Sequence, residues 1–277
     1  MKTAFIIITV ITILSISMCL YVLYEIYEHK HIDFITKNVD LGAGLKLCVI
    51  TDLHNNTLTG KTYARIAREK PDKILLCGDI VSHNATDLSN ARYAIKRLCR
   101  IADVFYAYGN HELYYSRMMP TAFFKFTSSL PDNCVMLING HVPLSDDVEL
   151  YGLKLSQNFY RKGKLVPENE IPQEDLDAFP VPDRYGKKAV VLAHTPEYID
   201  LYKKKLYPDL VISGHLHGGI VRLPFIGGLL FTSFPRPKRD AGLYDVDGTA
   251  LYVSRGTGSH FIPLRVFNRC EITFINI

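Results

Sequence analysis

Little in this sequence is present in excess. Its 277 residues carry 32 Lys+Arg against 28 Asp+Glu, a formal charge of +4. So small an imbalance, with both signs interspersed, gives no electrostatic case for nucleic acid, and no nucleic-acid partner is expected. The six cysteines (Cys19, Cys48, Cys77, Cys99, Cys134 and Cys270) include no Cys-x-x-Cys pair, which excludes a zinc ribbon. Cys48 and Cys77 fall inside apolar runs and read as small buried hydrophobes, so free thiols are predicted. No internal repeat and no low-complexity tract is present, and hydrophobic content is ordinary, so a packed core is expected.

Only one apolar run is long. Ala4 to Leu23 is nearly uncharged and close to the ~20 residues that cross a bilayer as a helix. A cleaved signal peptide has a shorter apolar stretch and a small-x-small site, and neither is evident. Cys19 follows Met18 rather than a small residue, which speaks against a lipoprotein site. The segment therefore predicts a single-pass signal anchor over 1–24, a tether over 25–44 and one folded domain over 45–277. Lys2 precedes the run, while Glu25, Glu28 and Lys30 follow it. That asymmetry predicts a cytoplasmic N-terminus and an extracytoplasmic body at the cell membrane. Tyr21, Tyr24 and Tyr27 suit the interface.

The body alternates. Leu45 to Thr51, Lys73 to Cys77, Val104 to Tyr108, Ala189 to Ala193 and Leu210 to Ser213 are short apolar runs, in form buried strands. Helical composition fills Lys61 to Lys70, which stops at Pro71, and Leu88 to Ile101; a further helix is predicted over Ser116 to Leu130. Cys134 to Ile138 and Val148 to Leu153 read as strands. Gln157 to Lys187 reads as a charged surface excursion, and Gly219 to Ile277 as mostly β. A β-α-β-α-β order predicts parallel strands, with a ligand site beyond their carboxyl ends.

Those carboxyl ends carry the chemistry. In order they read Asp52-Leu53-His54, Gly78-Asp79, Gly109-Asn110-His111-Glu112, His194 and Gly214-His215-Leu216-His217. Taken singly, each has a bland reading: a turn for Gly-Asp, a satisfied core residue for His194. Together they offer the oxygen and imidazole donors that suit one or two first-row divalent ions. A hydrolase that makes hydroxide at neutral pH needs such a set. In an extended segment i and i+2 face the same way, so Asp52 and His54 are predicted to share an ion. Glu112 has two open readings, a support behind a ligand or the start of a helix.

These motifs resemble the calcineurin-like metallophosphoesterase pattern D-x-H, G-D, G-N-H-[ED], H and G-H-x-H, over roughly Leu45 to the C-terminus. The resemblance implies a four-layer α/β/β/α sandwich with two mixed β-sheets. It implies a two-ion site in which Asp52, His54 and His217 hold one metal. Asn110, His194 and His215 hold the other, and Asp79 bridges both. His111 would touch the phosphate or protonate the leaving group. Mn²⁺ is the expected metal, with Fe or Zn²⁺ as alternatives.

The chain is also similar to a bacterial membrane-associated branch, on His194 to Glu197, Gly214 to Gly219 and Val253 to Gly258. Some of its members resemble UDP-2,3-diacylglucosamine pyrophosphatases. Ile220, where that branch often has Gln, and the 157–187 excursion depart from it. The resemblance implies a phosphodiesterase or pyrophosphatase with a phosphoester substrate, some relatives acting on a sugar-nucleotide lipid. The membrane anchor places the site near lipid, so a lipid-linked substrate is expected; a monomer is also expected. Leu223 to Phe231 would form an apolar wall for an acyl chain, or else a core hairpin. The competing readings are a scaffold module whose catalysis has decayed and a phosphoprotein phosphatase.

Overall fold

A computed structural model describes residues 2–28, 31–160, 165–182, 186–223, 225–229, 231, 237–258 and 265–277. The chain opens with α1 (Lys2–Glu28) and β1 (Ile32–Asn38). It then alternates through β2 (Lys46–Ile50), α2 (Gly60–Glu69), β3 (Lys73–Cys77), α3 (Ser89–Leu98) and β4 (Asp103–Ala107). Two short helices follow, α4 (Asn110–Met118) and α5 (Pro120–Thr127), then β5 (Cys134–Leu137), β6 (Gly140–Pro143) and β7 (Val148–Gly152). After α6 (Gln173–Asp177) come β8 (Lys188–Leu192), α7 (Ile199–Leu206) and β9 (Leu210–Ser213). The last strands are β10 (Val221–Leu223), β11 (Gly227–Leu229), β12 (Gly242–Val246), β13 (Thr249–Val253) and β14 (Cys270–Asn276).

Two six-stranded sheets result, in the orders β1-β14-β2-β3-β4-β5 and β12-β13-β9-β8-β7-β6. The first is parallel except where β14 meets β2; the second is parallel from β13 to β7 and antiparallel at both edges. Both sheets are therefore mixed.

Strand alternation sorts the apolar residues into three layers of core. Leu47 and Val49 of β2, with Leu75 and Cys77 of β3, face Val190, Leu192, Leu210 and Ile212 of the second sheet. The alternate residues Cys48, Ile50, Ile74 and Leu76 pack outward against Ile66 of α2 and Ala91, Ala94 and Ile95 of α3. On the opposite outer face Val191 and Val211 meet Ile199, Tyr202 and Leu206 of α7. Successive strand residues point to opposite faces, so a strand buried on both sides reads as an unbroken apolar run. The architecture is the expected four-layer α/β/β/α sandwich.

Local signals set the helix ends. The Thr59 hydroxyl accepts the Thr62 N–H at 3.2 Å and so caps α2, while Lys70 closes it in the left-handed region ahead of Pro71. The helix predicted over Ser116 to Leu130 is two helices starting earlier. Gly109 is extended (φ −106°, ψ −172°) and caps α4, and Pro120 opens α5.

The tether predicted over 25–44 contains structure. β1 runs parallel to β14, from Ile32 beside Cys270 to Asn38 beside Asn276. The first sheet thus reaches back to Ile32. The apolar stretch Lys2–Tyr24 of α1 is long and apolar enough to span a membrane, with none of its window buried against the body.

Candidate metal centre

The five polar motifs follow β2, β3, β4, β8 and β9, so the carboxyl ends of both sheets supply one cluster. The loops after β2 and β3 are zipped together. Asp52 N–H donates to the Gly78 carbonyl (3.1 Å), His54 N–H to that of Asp79 (2.9 Å) and Asn55 N–H to that of Ile80 (2.8 Å). The extended geometry predicted for Asp52 to His54 is not what forms, and His215 to His217 is not extended either. Asp52, His54, Asp79, His215 and His217 all have left-handed backbones, with φ from 51° to 70°. Such conformations are costly for non-glycine residues and persist where surroundings over-determine them. Here the surroundings are the carboxylates themselves. Asp52 Oδ1 accepts the His215 N–H at 3.1 Å, and Asp79 Oδ1 accepts the His111 N–H at 2.8 Å.

The sequence left two readings for Glu112, and the structure joins them. It lies in the first turn of α4, fully buried. Its Oε2 accepts N–H groups of Asp79 and Gly109, both at 2.8 Å. Its Oε1 accepts those of Ile80 (2.8 Å) and Val81 (3.0 Å) and the Tyr106 hydroxyl (2.6 Å). One carboxylate thereby fixes the loop that carries Asp79. Burial, then the charge of Asp79, pushes its pKa up, against the pull of those donors.

Two motif glycines are required by contact. A Cβ on Gly109 would strike Asp79 Oδ1, and one on Gly214 would strike Asp52 Oδ2 and come within 2.9 Å of Thr51 Cβ. The carboxylates sit where these side chains would be.

Three groups of donors converge, with ligand atoms in each within 4.8 Å of one another: Asp52, His54 and His217; Asp79, His194 and His215; and His54, Asp79 and His111. His54 Nε2 and His217 Nε2 lie 3.1 Å apart, and His217 Nε2 is 3.4 Å from Asp52 Oδ1. His194 Nδ1 is 2.9 Å from the Cys77 carbonyl, which can only accept, so Nδ1 carries a proton. Nε2 then faces Asp79 Oδ2 at 3.0 Å. Only a proton or a cation between them makes that contact favourable. Burial works against charge on His194, yet Asp79 and Asp52 lift its pKa to about 10. Burial would likewise raise Asp79, but His194 and His111 hold it well below the usual carboxylate range. Asp52, raised by burial and by Asp79, is pushed to about 6 although His194 pulls it down. Asn110 Oδ1 is buried with no hydrogen-bond partner among the described residues. An orphaned oxygen beside buried carboxylates and imidazoles fits a cation.

His111 is set apart by a residue that sequence reasoning missed. The His83 N–H donates to His111 Nδ1 at 3.0 Å, so a neutral His111 carries its proton on Nε2, facing Asp79 Oδ2 at 3.9 Å. Applied to His217, the same logic gives a tension. Arg265 Nη2, which only donates, is 2.8 Å from His217 Nδ1, whereas a metal-binding Nε2 requires a protonated Nδ1. Tyr160 was also missed. It comes from the 157–187 excursion and packs edge-on to His215 with ring centroids 5.4 Å apart. Gln157 beside it donates to the Tyr114 hydroxyl at 3.0 Å. The excursion therefore walls the cluster. Residues 161–164 and 183–185 of it lie outside the described residues.

Fold and donor set together define a sandwich of the metal-dependent class. The chain belongs to the calcineurin-like phosphoesterase family, whose model matches residues 45–219. That membership implies a binuclear divalent metal centre. An uncharacterized metallophosphoesterase of Campylobacter jejuni is 30% identical over 257 residues, 90% of this chain and 63% of that protein. Phosphodiesterase YaeI of Escherichia coli (strain K12) is 25% identical over 251 residues, 86% of this chain and 84% of that one. A Bos taurus transmembrane protein with metallophosphoesterase domain is 28% identical over 250 residues, 83% of this chain and 52% of that one. The chain spans 60–63% of the length of the first curated relatives it matches. A dimetal phosphatase structure from Danio rerio is 10% identical, covers 77% of this chain and 88% of that one, and has a TM-score of 0.44.

Proposed function

We propose that this protein is a metal-dependent phosphodiesterase or pyrophosphatase, held at the cell membrane by α1. In this reading Asp52, His54 and His217 hold one ion, Asn110, His194 and His215 the other, and Asp79 bridges them. The observation that carries it is the position of Asp79. Its carboxylate lies within 4.8 Å of donor atoms of His54 and His111 on one side and of His194 and His215 on the other, while Glu112 holds its backbone N–H. The donors are imidazole and oxygen with no thiolate, which suits Mn²⁺, with Fe or Zn²⁺ as alternatives.

When bound, two such cations lower the pKa of a shared water and neutralise charge on phosphoryl oxygens. The chain's own groups do the rest. The His111 and His215 N–H groups pin the two carboxylates. His83 fixes the His111 ring so that Nε2–H can hydrogen-bond to the leaving-group oxygen as charge develops there. Metal content and turnover of a water-soluble bis-aryl phosphodiester test the assignment. Asp79→Ala should lose both, and full turnover by a well-folded Asp79→Ala protein would sink it.

The finer part concerns location and substrate. The apolar stretch of α1 supports a single-pass anchor, and the charge asymmetry around it supports an extracytoplasmic body. An anchored site favours a lipid-linked phosphodiester or a sugar-nucleotide lipid over a free nucleotide. Detergent-solubilised lipid phosphodiesters should outcompete water-soluble nucleotides; equal rates on both would remove this part.

A further inference from the structure

The β10–β11 hairpin was read from sequence as an acyl-chain wall or a core hairpin. Pro224 and Leu230 lie outside the described residues; Gly228 is buried and Phe231 packs on the outer core, but the hairpin tip is not core. Phe225 is fully exposed, Ile226 54% exposed and Phe267 opposite them 58%. Between them lies a groove of about 550 Å³, closed on its other sides by Arg222, Leu223 and Arg255. An aromatic and an aliphatic side chain held out into water at a hairpin tip call for an apolar partner.

The tip is displayed by a braced stem. Arg222 N–H donates to the Val266 carbonyl and Val266 N–H to that of Ile220, both at 2.9 Å. Gly228 N–H donates to Asp240 Oδ2 at 2.5 Å. The arginines do not make the groove an anion site. Arg222 pairs with Asp240 at 3.2 Å, and Arg255 pairs with Glu271 at 2.5 Å and Asp33 at 3.2 Å. Their charge is answered locally, which leaves apolar surface as the groove's distinguishing property.

Its neighbour names the occupant. Tyr21, near the end of the apolar stretch of α1, packs on Phe267 with ring centroids 5.8 Å apart. The groove therefore opens where the span ends. On its inner side Arg255 precedes Gly256, where an added Cβ would lie 2.9 Å from Asp52 Cβ. We propose that Phe225, Ile226 and Phe267 form a second membrane contact, seated among the lipid acyl chains of the bilayer that α1 crosses. The contact would hold the Asp52 side of the cluster against the lipid surface, where the phosphate of a lipid ester lies. This inference rests on the anchored reading given above.

The chain contains no tryptophan, so a single introduced one reports alone. The full chain carrying Phe225→Trp is reconstituted into phosphatidylcholine vesicles with and without brominated acyl chains. Tyr93→Trp, at a half-exposed position on α3, is the control. The expected result is a blue-shifted Phe225→Trp emission that bromine quenches, with the control emission unshifted and unquenched. A vesicle-bound protein whose Phe225→Trp emission is water-like and unquenched overturns the proposal, as does equal quenching of both reporters. A chain that stays out of vesicles removes the anchored reading, and this contact with it. Phe225→Asp should slow hydrolysis of a vesicle-embedded phosphodiester by about tenfold, the effect of losing part of one aromatic burial. Its rate on a water-soluble bis-aryl phosphodiester should be unchanged. Equal loss on both substrates would mean the hairpin supports the fold, not the membrane contact.

Discussion

Glu112→Gln is a small change with a large expected effect. It replaces one carboxylate oxygen by an amide nitrogen in a site where every neighbour is a donor. With the amide oxygen in the place of Oε1, the Ile80, Val81 and Tyr106 bonds survive. The new NH₂ then confronts the N–H groups of Asp79 and Gly109. Leaving two buried donors without an acceptor costs about 1–3 kcal/mol each, or about 2–6 kcal/mol together. The opposite flip leaves the Ile80 and Val81 N–H groups facing NH₂ and is no better. Loss of the repulsion that Asp79 exerts on Glu112 draws the total toward the lower end. Against a typical stability of about 5–15 kcal/mol, that is a large fraction. For a body of this size each kcal/mol shifts Tm by about 2–4 °C, so a fall on the order of 10 °C is expected. The Asp79 loop is the part released, so metal content should fall at temperatures where the rest stays folded. Thermal unfolding of the detergent-solubilised chain, with metal analysis of the folded fraction, reads both quantities. An unchanged Tm with two ions still bound would show that the five-donor arrangement does not position the cluster.

Three further expectations test the same geometry. His111→Asn should lower kcat by about 10²–10³-fold with two ions retained, as removal of a hydrogen-bond donor to developing charge does; loss of an ion would make His111 a ligand instead. Gly214→Ala pushes a methyl into Asp52 Oδ2 and should lower metal occupancy and Tm together; wild-type occupancy would show that Asp52 can move freely. A metal-loaded crystal structure should show Arg265 Nη2 withdrawn from His217 Nδ1, because a ring bound through Nε2 turns Nδ1 into a donor. Persistence of the 2.8 Å contact in that structure would argue against His217 as a ligand.

The sandwich was legible because its central strands are buried on both faces. β3 and β9 were bounded correctly as Lys73 to Cys77 and Leu210 to Ser213, since a continuous apolar run ends where the donors begin. β1 was not legible. Its residues alternate weakly, and its partner lies far along the chain, with Asn38 and Asn276 separated by 238 positions. The donor residues were named from their order, but the reason given for their convergence was wrong. Asp52 and His54 meet through left-handed turns held by cross-site hydrogen bonds, which no two-residue period describes. Glu112 was ambiguous because helix starts favour acids regardless of function. His83 and Tyr160 carried no pattern at all. A histidine four residues past Asp79, in a loop already suspected of chemistry, was the one available hint.

The placement of β14 between β1 and β2 imposes an order of events. Two strands from the front of the chain have no partner on that side until a strand some two hundred residues later leaves the ribosome and slides in as their wedge. For most of synthesis the stem beside α1 must wait with an open ladder, a vulnerable interval that long-range pairing makes slow to close. Chaperone dependence should therefore concentrate at this seam, while β8, β9 and the helix between them can consolidate early.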